Sequence, residues 1–147
     1  MAEGILRVRL SPRSAEFASV TSAGVAAAPG LPASTNSVLA CRHHGIDITG
    51  HRSRPITRDL VEAADLILVM EDHHRQALVG SWPQAAGKTS LLSEYAMNGS
   101  GGPPRGVADP IGQDVDVYAR VFDAIEQYVA RALPRIESSI AAATRNE

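Results

Sequence analysis

The segment Ala64-Asp65-Leu66-Ile67-Leu68-Val69-Met70 constrains this chain more than any other. From Leu66 to Met70 every side chain is apolar, so the run has no polar face. A half-exposed antiparallel strand alternates apolar and polar residues. An unbroken run fits a parallel strand covered on both faces. Parallel neighbours need a crossover connection, usually helical, so strands and helices are expected to alternate along the chain.

The flanking sequence carries that alternation. Residues 2–10 place Ile5, Leu6 and Leu10 at helical spacing, and Ser11-Pro12 ends the pattern. Residues 16–23 set Phe17 among polar and small residues and stop at Gly24, which predicts a strand. Residues 26–32 read as a small-residue loop. Residues 33–44 predict a helix closed by Gly45, and residues 46–55 an irregular basic link. Thr57 is a good N-cap for a helix over 58–64. After the apolar run come a short helix over 71–80, a short strand over 88–92 and a Gly/Pro/Ser-rich loop over 98–106. Val117, Val121, Ile125 and Val129 repeat every four residues, the stripe of a helix from about 114 to 133. Beyond Pro134 the chain reads as more helix or as a frayed end. The expected fold is an α/β three-layer sandwich with a short, mainly parallel sheet, in one domain over residues 1–147.

Composition narrows the function. The chain is 44% hydrophobic and 20% charged, with a net charge of -2 and a pI of about 6.2. That balance gives no footprint for a nucleic-acid partner. No apolar run reaches the length of a membrane span, and no signal peptide opens the chain. Cys41 is the single cysteine, so there is no internal disulfide. A cytoplasmic location is the plain reading.

Several segments, in order, resemble low-molecular-weight protein tyrosine phosphatases. They are Met1-Ala2-Glu3, Ser22-Ala23-Gly24, His44-Gly45-Ile46-Asp47, Gly50-His51-Arg52-Ser53-Arg54, the run 64–70, and Asp109-Pro110 ahead of the last helix. The resemblance covers nearly the whole chain. It implies a phosphomonoester hydrolase acting through a phosphocysteine, on a phosphorylated protein or a small phosphomonoester, with no cofactor. It makes Asp109 the general acid. It makes Ser22 and His51 groups that brace the phosphate-binding loop by hydrogen bonding. Arg54 matches a nearby basic position, a candidate phosphate contact.

The departures are as informative. The family opens with a buried strand and a C-x5-R-S/T loop that carries the nucleophile and the phosphate-binding arginine. Neither is here: the sixth residue after Cys41 is Asp47. Relative to the family the chain is therefore expected to be N-terminally truncated and, as written, inactive. Cys41 reads as a small core residue. The aromatics that flank the family's pocket are replaced by Ile111 and Ala28. The missing strand belongs inside a sheet of order 2-1-3-4. The remaining strands are expected to pair with each other or to borrow a strand from another chain, for which a homodimer is one route.

Three functions fit: a truncated phosphatase, a catalytically dead binding or regulatory homologue, and an arsenate reductase-like protein. The last needs cysteines that the chain lacks. No metal site is expected. Adjacent helical residues point about 100° apart, which argues against chelation by His43/His44 or His73/His74 as pairs.

Overall fold

The computed structural model describes residues 1–98 and 105–145. Helix α1 (Ala2–Arg9) is followed by α2 (Pro12–Phe17), α3 (Thr35–His43) and α4 (Arg58–Ala63). Strand β1 (Ile67–Val69) leads into α5 (Asp72–Ser81), a 3-10 turn (Pro83–Lys88), β2 (Thr89–Leu91), α6 (Leu92–Met97) and the long α7 (Val115–Thr144).

β1 and β2 pair in parallel, Ile67 with Thr89 and Val69 with Leu91. The α5 crossover between them makes this a β-α-β unit, as the apolar run predicts. Alternation along the run then sorts the layers. Leu68 and Met70 pack on the cluster around Ile5, Cys41, Leu92, Phe122 and Ile125, and Leu66 and Leu68 on a second one around Leu10, Tyr95, Ala132 and Ile136. Ile67 packs the other way, against Val61 of α4, Leu78 of α5 and Trp82. Helices therefore cover both faces of a short open sheet.

Local chemistry sets the helix ends. Ser34, Thr57 and Asp114 accept backbone N–H bonds as N-caps of α3, α4 and α7. Gly45, at φ 73°, ends α3 with a paired closure: its N–H reaches the Arg42 carbonyl and the Ile46 N–H reaches the Cys41 carbonyl. α7 runs through Pro134, although proline supplies no N–H there. Buried Ala132 and Ile136 on either side, and Arg135 over the Tyr95 ring at 4.1 Å, hold that stretch in place.

The strand expected over residues 16–23 is not formed. Ser11-Pro12 does end α1, but Pro12 occupies the first turn of α2, which Ser11 caps, so Phe17 lies in a helix. Beyond it the backbone extends, yet among the described residues it joins no sheet and makes a single bridge, Gly24 with Pro55. Arginines take over the carbonyls instead: Arg7 donates to Val20 at 3.0 and 2.7 Å, and Arg54 donates through Nε to Ser22 at 2.9 Å. Among the described residues, the second edge of β1 is also unpaired. Most of the loop expected over 98–106 lies outside the described residues.

Candidate active site

Beside the opening of α1 lies a cavity of about 620 Å³, lined among others by Glu3, Arg7, Ser22, His51, Arg52 and Arg54. It brings together three of the four residues singled out from sequence. Glu3 joins them in the lining. Its side chain is only 15% exposed and pairs with Arg7, one helical turn on, at 2.8 Å. The Ser22 hydroxyl donates to the same carboxylate, and His51 Nδ1 stands 3.7 Å from it. The groups expected to brace a phosphate-binding loop thus converge on Glu3.

Close approach of two segments shapes the cavity floor. Ile46 and Ile48 press against Gly4, where a Cβ would stand 2.8 Å from one Ile48 methyl. Between them Asp47 closes a small turn. Its Oδ1 accepts the Thr49 N–H at 2.9 Å and the Thr49 hydroxyl at 2.7 Å, and these bonds hold its carboxyl below the ordinary range. Arg52 turns back to the Thr49 and His51 carbonyls, at 3.1 and 2.7 Å.

Asp109 does not line this cavity. It is exposed, and its Oδ1 accepts the Ile111 N–H at 3.0 Å, a turn that fixes the loop ahead of α7. Pro110 is buried beneath it, and Ile111 stands 75% exposed. Cys41 is fully buried in the main core, and burial pushes its thiol up from the ordinary value.

Sequence reasoning missed Glu3 as a hub. Its only signal was the Glu3–Arg7 spacing within the first helix. The link to Ser22 and His51 is tertiary and leaves no local trace.

A short parallel sheet between helix layers, with a polar cavity at the start of the first helix, defines an open α/β protein. The sequence matches the low molecular weight phosphotyrosine protein phosphatase family over residues 1–142, and the chain belongs to that family. It is 33% identical over 138 residues to the probable low molecular weight protein-tyrosine-phosphatase EpsP of Ralstonia nicotianae, covering 94% of this chain and 87% of that protein. It is 31% identical to a protein-arginine-phosphatase of Bacillus subtilis, covering 93% of this chain and 87% of that one. Among solved structures, the YwlE arginine phosphatase from Geobacillus stearothermophilus superposes with a TM-score of 0.83 at 27% identity, over 94% of this chain and 84% of the other. Among the described residues no helix is long and apolar enough to cross a membrane.

Proposed function

We propose that these 147 residues form the general-acid and bracing part of a cytoplasmic phosphatase domain whose chemistry runs through a phosphocysteine. The observation that carries this reading is the convergence of Ser22, His51 and Arg54 on one cavity beside the opening of α1. In the reaction a cysteine thiolate displaces the leaving oxygen from phosphorus, and Asp109 gives that oxygen its proton. Asp109 then takes a proton from the water that cleaves the S–P bond.

The nucleophile is not among these residues. No cysteine here is followed by arginine six positions later. Cys41 cannot stand in, because its burial disfavours the thiolate that must attack. The same burial weighs against an arsenate reductase-like role. On this reading these 147 residues alone turn over no phosphomonoester, because they hold no C-x5-R nucleophile loop. Among the described residues the second edge of β1 is free, a place for a second copy to pair.

The relatives act, by their names, on phosphotyrosine and on phosphoarginine. Ile111 and Ala28 stand where the family stacks aromatic rings, which favours phosphoarginine in protein as the substrate of the completed enzyme. The same two residues support the alternative of a catalytically dead binding homologue.

Translating the in-frame DNA before Met1 separates these readings. An aliphatic strand followed by C-x5-R supports truncation, and a stop codon supports the dead homologue. The extended protein should hydrolyse p-nitrophenyl phosphate and phosphoarginine peptides, and Asp109→Asn should lower kcat by about 10²–10⁴-fold. Turnover by the 147-residue chain that Asp109→Asn abolishes would sink the assignment of inactivity.

A further inference from the structure

We propose that Glu71, His73 and His74 form a site for a divalent transition metal, best suited to Zn²⁺, at the carboxyl end of β1. Each residue offers one donor atom within 4.8 Å of the other two. Donors around tetrahedral zinc stand about 3.4 Å apart when the metal–ligand bonds are about 2.0–2.1 Å.

The local backbone explains the cluster. His73 and His74 are the second and third residues of α5; adjacent helical positions diverge by about 100°, yet the two rings tilt together to 4.0 Å between centroids. Glu71 is not in the helix. It is the extended N-cap, at φ -135° and ψ 156°, and its side chain folds back over the first turn. The third donor therefore comes from outside the helix, beside two rings that already lie together. The neighbouring segment confines it: Val107 N–H bonds the Met70 carbonyl at 2.8 Å, and a Cβ on Gly106 would stand 3.2 Å from Glu71 Cγ. Open parallel sheets bind ligands at this end of their strands.

Two imidazoles and one carboxylate select zinc-like ions over Mg²⁺ or Ca²⁺, and three protein ligands leave a position for water. Two features weaken the site. His74 Nδ1 accepts the Glu71 N–H at 3.3 Å, and a metal on that ring must displace this contact. The start of α5 also presents its positive dipole end. Asp72 offsets little, since Arg75 and Gln76 already hold its carboxylate. Binding is thus weaker than in a closed four-ligand site.

Calorimetric titration of the 147-residue chain with ZnCl₂, alongside histidine-resolved NMR, tests this. One saturable equivalent is expected, with the resonances of His73 and His74 shifting together. His74→Gln should abolish it, and Glu71→Gln should weaken it about tenfold or more. His73 is 65% exposed, so His73→Gln leaves the fold intact and must weaken binding too. His43→Gln/His44→Gln should bind as before. The proposal is overturned by the absence of saturable binding, by displacement with equimolar Mg²⁺, or by binding that survives His73→Gln and Glu71→Gln.

Discussion

The Ser22 hydroxyl donates a hydrogen bond to the carboxylate of Glu3, tying the unpaired extended segment to the first turn of α1. Glu3 also pairs with Arg7, and Arg7 in turn holds the Val20 carbonyl. The three contacts form one unit, so their energies should not add. Ser22→Ala is expected to cost about 1 kcal/mol and Glu3→Gln about 1–2 kcal/mol. The double variant should fall short of their sum by at least about 0.5 kcal/mol. Urea titrations of the four proteins measure this coupling. Strict additivity would mean that Ser22 and Glu3 do not meet in solution.

Gly4 sits inside α1, where alanine gains about 1 kcal/mol of helix propensity. Yet a Cβ at this position would lie 2.8 Å from an Ile48 methyl and 3.2 Å from an Ile46 methyl. Both belong to β-branched side chains that cannot swing aside freely. Overpacking of this kind costs about 1–3 kcal/mol. Gly4→Ala should therefore lower the thermal midpoint, whereas Gly80→Ala, with nothing within 4 Å of its Cβ, should leave it level or raise it. If both rise together, the cavity floor is looser than described.

These contacts mark how far the sequence could be read. The run 66–70, the stripe at Val117, Ile125 and Val129, and the cap at Thr57 are local patterns, and each names its element directly. The segment after Phe17 is different. An extended backbone becomes a strand only if a neighbour offers hydrogen bonds, and whether one does is decided far away in the chain. Ser11-Pro12 misled for another reason: proline ends one helix and suits the first turn of the next equally well. That Ser22, His51 and Arg54 meet in one cavity was legible because the family resemblance names them. Glu3 and Glu71 were not, because each acquires its role from a partner on another element or from an N-cap geometry that spacing does not encode.

Phe122 is fully buried and stacks on the His44 ring at 4.1 Å between centroids. It joins α7 to the end of α3 and to Ile5 of α1 in one cluster. Phe122→Ala should cost about 3–5 kcal/mol. Set against a typical total of about 5–15 kcal/mol, that loss should populate unfolded chain at ambient temperature. Phe122→Leu, which keeps most of the volume, should cost less than about 2 kcal/mol. Circular dichroism during urea titration distinguishes the two, and equal losses would place the ring outside the core.

Glu137 ties the two ends of the fold together: its Oε1 accepts the backbone N–H of Ser11 at 2.8 Å. That bond favours the ionised carboxyl and holds it below its ordinary value of 4.5. A carboxyl that ionises more readily when folded stabilises the protein above its unfolded value. The contribution is lost as pH falls through the lower folded value. Asp47 and Asp72 are depressed in the same direction, by bonds from Thr49 and from Arg75 respectively, so acid should erode stability steeply below a pH of about 4.5. Glu137→Gln removes the charge but can keep the bond to Ser11. The variant should be less stable than the parent near neutrality, and the gap should close as pH falls. Urea midpoints for both proteins across that range provide the measurement. A gap that stays constant with pH would assign the effect to packing rather than to the ionised carboxylate.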